Sequence, residues 1–332
     1  MDEQFMLQED AQWFNCDDGG RIFLRRWVSR AFAEKPLAVL HIVHGMSEHG
    51  LRYKRLAETM CKAGFEVWAA DQRGHGKTAD TSVNGEDKGG MRGYCGGGDG
   101  FSRVCADIVQ LNRLIREERP AAPLFILGHS WGSFIVQECF EKYSGFEGCI
   151  LSGSRGPGGL KVKLGLPLIV FLAFVRGERR VSSLASLVVN SFYSKPFRPN
   201  RTSFDWISRD HEEVDRFLAD SLCRVSYTWG FYRDLIRALN RIHRREALEK
   251  IRKETPVYIF AGTSDPVGEM GKSPTALVET YRSVGVKDLE FVLYPGARHE
   301  TLNESNREEV TENLLSWLKR HIEPAEKLEW PP

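Results

Sequence analysis

Gly128-His129-Ser130-Trp131-Gly132 constrains this chain more than any other stretch, because an apolar run, Leu124 to Leu127, leads into it and a helix-like run, Phe134 to Phe140, leads out. The chain must leave a buried strand and enter a helix within a few residues. A central residue in so sharp a turn takes a strained conformation that pushes its side chain outward, and glycines on either side remove the Cβ atoms that would clash. Ser130 would then stand at a helix N-terminus, where unpaired N–H groups and the helix dipole favour developing negative charge.

An activated serine needs a base and a group to orient that base. Val257-Tyr258-Ile259-Phe260 reads as a strand and ends in Ala261-Gly262-Thr263-Ser264-Asp265-Pro266, which puts Asp265 in a turn at its C-terminal end. Leu289 to Tyr294 alternates as a second strand and breaks at Pro295-Gly296-Ala297-Arg298-His299. Ser130, Asp265 and His299 therefore leave the same edge of a parallel sheet, the edge where such sheets place ligands. A lone His after a strand is usually a surface residue and an Asp before Pro usually a turn former. Three matching positions in one order make the catalytic reading the stronger one. After the strand-like Leu37 to Val43 comes His44-Gly45-Met46, where Gly45 lets the backbone approach a bound carbonyl. The oxyanion donors expected are the N–H groups of Met46 and Trp131. His41, His44 and His49 fit no metal-ligand spacing, so no metal is expected.

These segments, with Asp71-Gln72-Arg73-Gly74-His75-Gly76-Lys77 and Ala297-Arg298-His299-Glu300, recur in one order. Together they resemble the α/β-hydrolases grouped as serine-aminopeptidase-like (S33) hydrolases, especially the monoacylglycerol lipase and lysophospholipase branch. The resemblance spans roughly residues 20 to 321. It implies an α/β fold, a mostly parallel sheet with helices on both faces and a mainly helical cap, and a cofactor-independent serine esterase. Residues 200–210 also look like the cap of bacterial members. The chain departs from that branch at Trp131 and Ser133, where Met and Gly are common, and at Ser221, where Pro is expected before Leu222-Cys223.

At 332 residues and a net charge of +1, the chain can build one large core and shows no sign of a nucleic-acid partner. Arg241 to Arg245 reads as a solvated helix end. The start, Met1 to Met6, lacks the basic-then-apolar order of a signal peptide, and seven scattered cysteines without Cys-x-x-Cys pairs read as reduced thiols, so a cytoplasmic protein is expected. Asp17-Asp18-Gly19-Gly20 predicts a hairpin turn. Asp99 predicts a cap for a helix carrying Phe101, Val104, Ile108, Leu111 and Ile115.

The strand–helix alternation stops after residue 153 and resumes at 256, so the expected organisation is a core of 1–153 and 256–332 with an inserted cap at 154–255. Aromatics such as Phe192, Tyr193, Phe204, Trp206, Tyr227 and Phe231 are candidates for its underside. Gly45, His129, Phe171 and Trp206 are the candidate substrate-binding residues. Leu164 to Val175, uncharged and flanked by Lys161, Lys163, Arg176, Arg179 and Arg180, is too short to span a bilayer. It is either a buried cap helix or a lid whose apolar surface admits acyl chains and touches micelles or membranes peripherally. The expected substrate is a small lipid ester such as a monoacylglycerol. A prolyl aminopeptidase-like peptidase or amidase, and a non-catalytic binding protein on the same scaffold, are the alternatives.

Overall fold

The computed structural model describes residues 6–143 and 145–322, without the side chains at 159–166 and 184. Residues 1–5 and the side chains of Lys161 and Lys163 thus lie outside the described set. Strands β1 (Leu7–Asn15) and β2 (Arg21–Ser29) pair antiparallel from Leu7↔Ser29 to Asn15↔Arg21. Gly19 turns between them at φ 78°, a conformation open to glycine at no steric cost.

The other strands are β3 (Ala38–Val43), β4 (Phe65–Asp71), β5 (Leu124–His129), β6 (Gly148–Ser152), β7 (Val257–Gly262) and β8 (Leu289–Tyr294). They complete a sheet ordered β1-β2-β4-β3-β5-β6-β7-β8, parallel from β4 to β8. Strands β3 to β7 are buried at every residue, as strands covered on both faces must be. Strand β8, which among the described residues pairs with β7 alone, is half-buried along most of its length.

Helices α1 (Lys54–Lys62) and α10 (Arg307–His321) cover one face; α2 (Gly100–Glu118), α3 (Trp131–Lys142) and α9 (Lys272–Ser283) cover the other. Alternate residues of β3 divide between the two cores, Val39 and Val43 joining α2 and α3, Leu40 and Ile42 joining α1 and α10. Asp99 caps α2 by accepting from the Ser102 N–H, and the five apolar residues expected on its inner face are all buried.

Between β6 and β7 the chain forms α4 (Gly159–Arg176), α5 (Ser183–Ser194), α6 (His211–Ala219), α7 (Trp229–Arg241) and α8 (Arg245–Leu248). Tyr227, Phe231 and Tyr232 bury into the larger core, so part of this inserted segment is anchored. Arg241 corrects the reading of a solvated helix end: its guanidinium bridges Glu138 at 2.7 Å, a side chain fully removed from solvent, and Asp99 at 3.0 Å. Without Arg241 the Glu138 carboxylate would keep, among the described residues, only Lys142 as a cationic partner. Ser221 needs no proline, because Asp220 builds the turn by accepting from the Leu222 N–H through its side chain and from the Cys223 N–H through its carbonyl. Among the described residues, no helix is long and apolar enough to cross a membrane.

Candidate active site

Ser130 follows β5 at φ 51° and ψ −120°, a backbone conformation that an L-residue holds only under constraint. The constraints are local. Its N–H donates to the Ser152 carbonyl at 2.9 Å, tying the turn to β6, and both flanking glycines stand where no Cβ fits. A Cβ on Gly128 would lie 2.6 Å from the Gly132 carbonyl oxygen; one on Gly132 would lie 2.1 Å from that of Val43. Helix α3 therefore docks against the ends of β3 and β5 with the Ser130 side chain directed away from the sheet.

His299 Nε2 lies 2.8 Å from Ser130 Oγ, and His299 Nδ1 lies 3.0 Å from Asp265 Oδ2. Asp265 is fully buried, and its other oxygen accepts the Val267 N–H at 2.8 Å. A carboxylate fixed in this way holds Nδ1 protonated and leaves Nε2 free to accept the Ser130 proton. Burial pushes the His299 pKa down, but the charge of Asp265 and its hydrogen bond push it up further, so it is raised above 6.5. At His129 burial and the neighbouring His299 outweigh the charges of Glu48 and Glu300, and its pKa falls to about 4.

The loop after β3 closes the other side. A Cβ on Gly45 would lie only 3.2 Å from the Ser130 Cβ, so the peptide that presents the Met46 N–H passes beside the serine. Glu48 accepts the Gly45 N–H at 2.5 Å and the Tyr53 hydroxyl at 2.9 Å. The Trp131 N–H opens α3, where the first turn leaves its donors without intrahelical partners.

The structure therefore brings Ser130, Asp265, His299, Gly45, Met46, Trp131 and His129 to one place. Trp206 joins them, its ring 5.3 Å from that of His299 and its carbonyl accepting the His299 N–H at 3.4 Å. Phe171 is not brought there by any ring contact among the described residues; it is 61% exposed on α4. The three histidines weighed as metal ligands serve separate contacts: His41 bonds Asn112, His44 bonds the Gln72 N–H, and His49 bonds Asp220 at 2.9 Å. The donor atoms of His49, Asp220 and Cys223 do gather within 4.8 Å where the inserted segment meets the core.

Arg52 and Glu300 carried no role in the sequence reading. Arg52 binds Glu300 through both terminal nitrogens, at 2.8 and 2.7 Å, and Glu48 at 2.9 Å, linking the loop that carries His299 to the loop that carries Met46. The i,i+4 spacing of Glu48 and Arg52 was a visible signal for half of this link.

With this geometry in view, residues 34–306 match the family described as serine aminopeptidase, S33. The chain belongs to the serine aminopeptidase S33 family. It is 26% identical to a monoacylglycerol lipase of Mycolicibacterium smegmatis, covering 86% of this chain and 90% of the relative. It is 27% identical to the monoglyceride lipase of Mus musculus, over 93% and 90% of the two chains. A thermostable carboxyl esterase from Bacillus coagulans, solved with glycerol, superposes with a TM-score of 0.83 at 27% identity, covering 95% of this chain and 99% of that one. The family match runs from just before β3 to just before α10 and includes the helical stretch between β6 and β7.

Proposed function

We propose that the protein hydrolyses carboxylic esters with an apolar acyl chain, such as monoacylglycerols or lysophospholipids, through an acyl-enzyme on Ser130. The observation that carries this reading is the unbroken relay Ser130 Oγ, His299, Asp265 at 2.8 and 3.0 Å beside the Gly45–Met46 peptide. His299 Nε2 takes the Ser130 proton as Oγ attacks the ester carbonyl. Asp265 holds the imidazolium, and the Met46 and Trp131 N–H groups bind the oxyanion. His299 then protonates the leaving alcohol, and water attacks the acyl-enzyme by the same route, returning the proton to Ser130.

The inserted segment serves as the cap, with Trp206, Gly45 and His129 lining the approach to Ser130. The lipases among its relatives support a lipid substrate, and so does the cap surface. Leu168, Phe171, Phe174 and Val175 on α4 and Leu187, Val188 and Phe192 on α5 are all more than half exposed. These outward faces of α4 and α5, with Arg176 and Arg180 at the end of α4 and just beyond it, fit contact with an anionic lipid surface, whereas Arg179 is paired with Asp87 and Glu86. Phe171 belongs to this outer face, where it meets the acyl chain only while substrate is entering.

The test is a panel of acyl esters of increasing chain length beside aminoacyl-proline amides. The reading requires turnover that rises into medium or long acyl chains and negligible cleavage of the amides. Preferential amide cleavage would move the protein to the peptidases of its family.

A further inference from the structure

Ser47, the residue after the proposed oxyanion donor, is gripped by the cap through every polar group it has. Its N–H donates to the Tyr227 hydroxyl oxygen, its carbonyl accepts the Arg224 N–H at 3.2 Å, and its Oγ lies 3.3 Å from both the Val225 carbonyl and the Tyr227 oxygen. It is held there at φ 59°, a left-handed conformation that a non-glycine residue leaves when nothing holds it. The rest of the loop is bonded within the core: Gln72 binds the His44 carbonyl, Glu48 the Gly45 N–H, and His44 Nδ1 the Gly45 carbonyl. Among the described residues the Met46 N–H has no acceptor, so its direction is set by the peptides on either side.

Tyr227 is oriented in turn by His75, and the tautomer can be assigned. His75 Nδ1 lies 2.9 Å from the Arg73 carbonyl and must carry the proton, so Nε2 accepts from the Tyr227 hydroxyl at 2.8 Å. That leaves the Tyr227 oxygen to accept the Ser47 N–H. Burial lowers the His75 pKa to about 3 and keeps this arrangement through the working pH range. The same His75 ring stacks on Trp131 with centroids 5.1 Å apart, so it touches the residue that supplies the second donor. His75 thus stands behind both donors, and Tyr227 is the cap's only hydroxyl among the described residues bonded to the Ser47 N–H.

We infer that Tyr227 is a positioning residue for the oxyanion hole: seating the cap segment 224–227 holds Ser47 in its left-handed conformation and so aims the Met46 N–H. The inference rests on the proposed hydrolase reading and adds a dependence of the chemical step on the cap. A cap residue acting in this way affects the transition state, in which the oxyanion is charged, far more than the bound ester.

Tyr227→Phe keeps the ring, which packs on Phe231 at 4.1 Å, and removes only the hydroxyl. Losing an oxyanion donor costs on the order of 10² to 10³ in kcat, and misaiming one costs less, so a fall of about 10- to 100-fold is expected. KM and the affinity for the fatty-acid product should stay within about threefold. A trifluoromethyl ketone carrying the same acyl chain, which forms a tetrahedral oxyanion on Ser130, should lose affinity in step with kcat. Ser47→Gly supplies the second variant, because glycine holds φ near 60° at no steric cost. In the Tyr227→Phe background it should restore most of the lost kcat. Unchanged kcat and ketone affinity in Tyr227→Phe would overturn the inference. Equal weakening of ketone, product and KM, or a further loss in the double variant, would overturn it as well. Wild-type protein that neither hydrolyses the ester nor reacts with a fluorophosphonate would instead sink the hydrolase reading, so the two failures are distinguishable.

Discussion

At His299 two effects oppose each other: burial disfavours the imidazolium, the Asp265 carboxylate 3.0 Å away favours it, and the carboxylate wins. The general base must be neutral, so activity is lost as pH falls through a pKa above 6.5. Asp265→Asn removes the charge that raises it; the acid limb of the kcat profile should move to lower pH while the maximum falls by about 10⁴-fold. An unmoved limb would mean that another group titrates there. Ser130→Ala and His299→Ala should each lower kcat by about 10⁴- to 10⁶-fold, with the double variant little worse than either, because the residues act as a unit. Near-normal turnover by folded Ser130→Ala would remove it as nucleophile. These three residues were legible because each follows an apolar strand run and sits in a turn rich in Gly or Pro, so topology alone brings them to one edge. The pairings of Arg52 with Glu300 and of Tyr227 with Ser47 were not. Arg52 lies 248 residues from Glu300 and Tyr227 lies 180 from Ser47, and no local pattern carries such a pairing.

Helix α3 shows how an element fixes the geometry of a residue. Intrinsic propensity favours Ala over Gly inside a helix by about 1 kcal/mol, so Gly132→Ala would ordinarily stabilise. Here the added methyl would meet the Val43 carbonyl oxygen at 2.1 Å and the His44 carbonyl oxygen at 2.4 Å, both backbone atoms that cannot rotate away. Overpacking of this kind costs roughly 1 to 3 kcal/mol. The expected outcome is a lower Tm in thermal unfolding and a larger loss of kcat, since relief requires α3, and Ser130 with it, to move off β3. A Tm at or above wild type would show that the helix start has room. The elements themselves were unevenly legible. Asp99 and the 3.6-residue spacing of Phe101 to Ile115 made α2 plain, and Asp17 to Gly20 made the hairpin plain. For β8 the sequence alternates, yet all but one residue is half-buried, because its place at the sheet edge depends on strand order and not on its own residues.

For the molecule as a whole, the helical stretch between β6 and β7 was legible from where strand–helix alternation stops, but the facing of its helices was not. The run from Leu164 is apolar all round, so no periodicity could say which side faces inward. Over the described part of α4, Ala173 is buried while Leu168, Phe171 and Phe174 are 60%, 61% and 86% exposed. Side chains this exposed contribute little to the packed core, which separates a role in folding from a role at a lipid surface. Replacing Leu168 and Phe171 with Ser should leave the Tm within about 1 to 2 °C and leave hydrolysis of a short, water-soluble ester unchanged, since the triad and oxyanion loop are untouched. Binding to anionic vesicles should weaken by roughly tenfold, because each large apolar side chain taken from water contributes about 1.5 to 3 kcal/mol when fully buried and less at an interface. Hydrolysis of long-chain esters presented in those vesicles should fall with it. A parallel loss on both esters with a collapsed Tm would make these residues ordinary core. Unchanged vesicle binding would turn the apolar face toward some other partner.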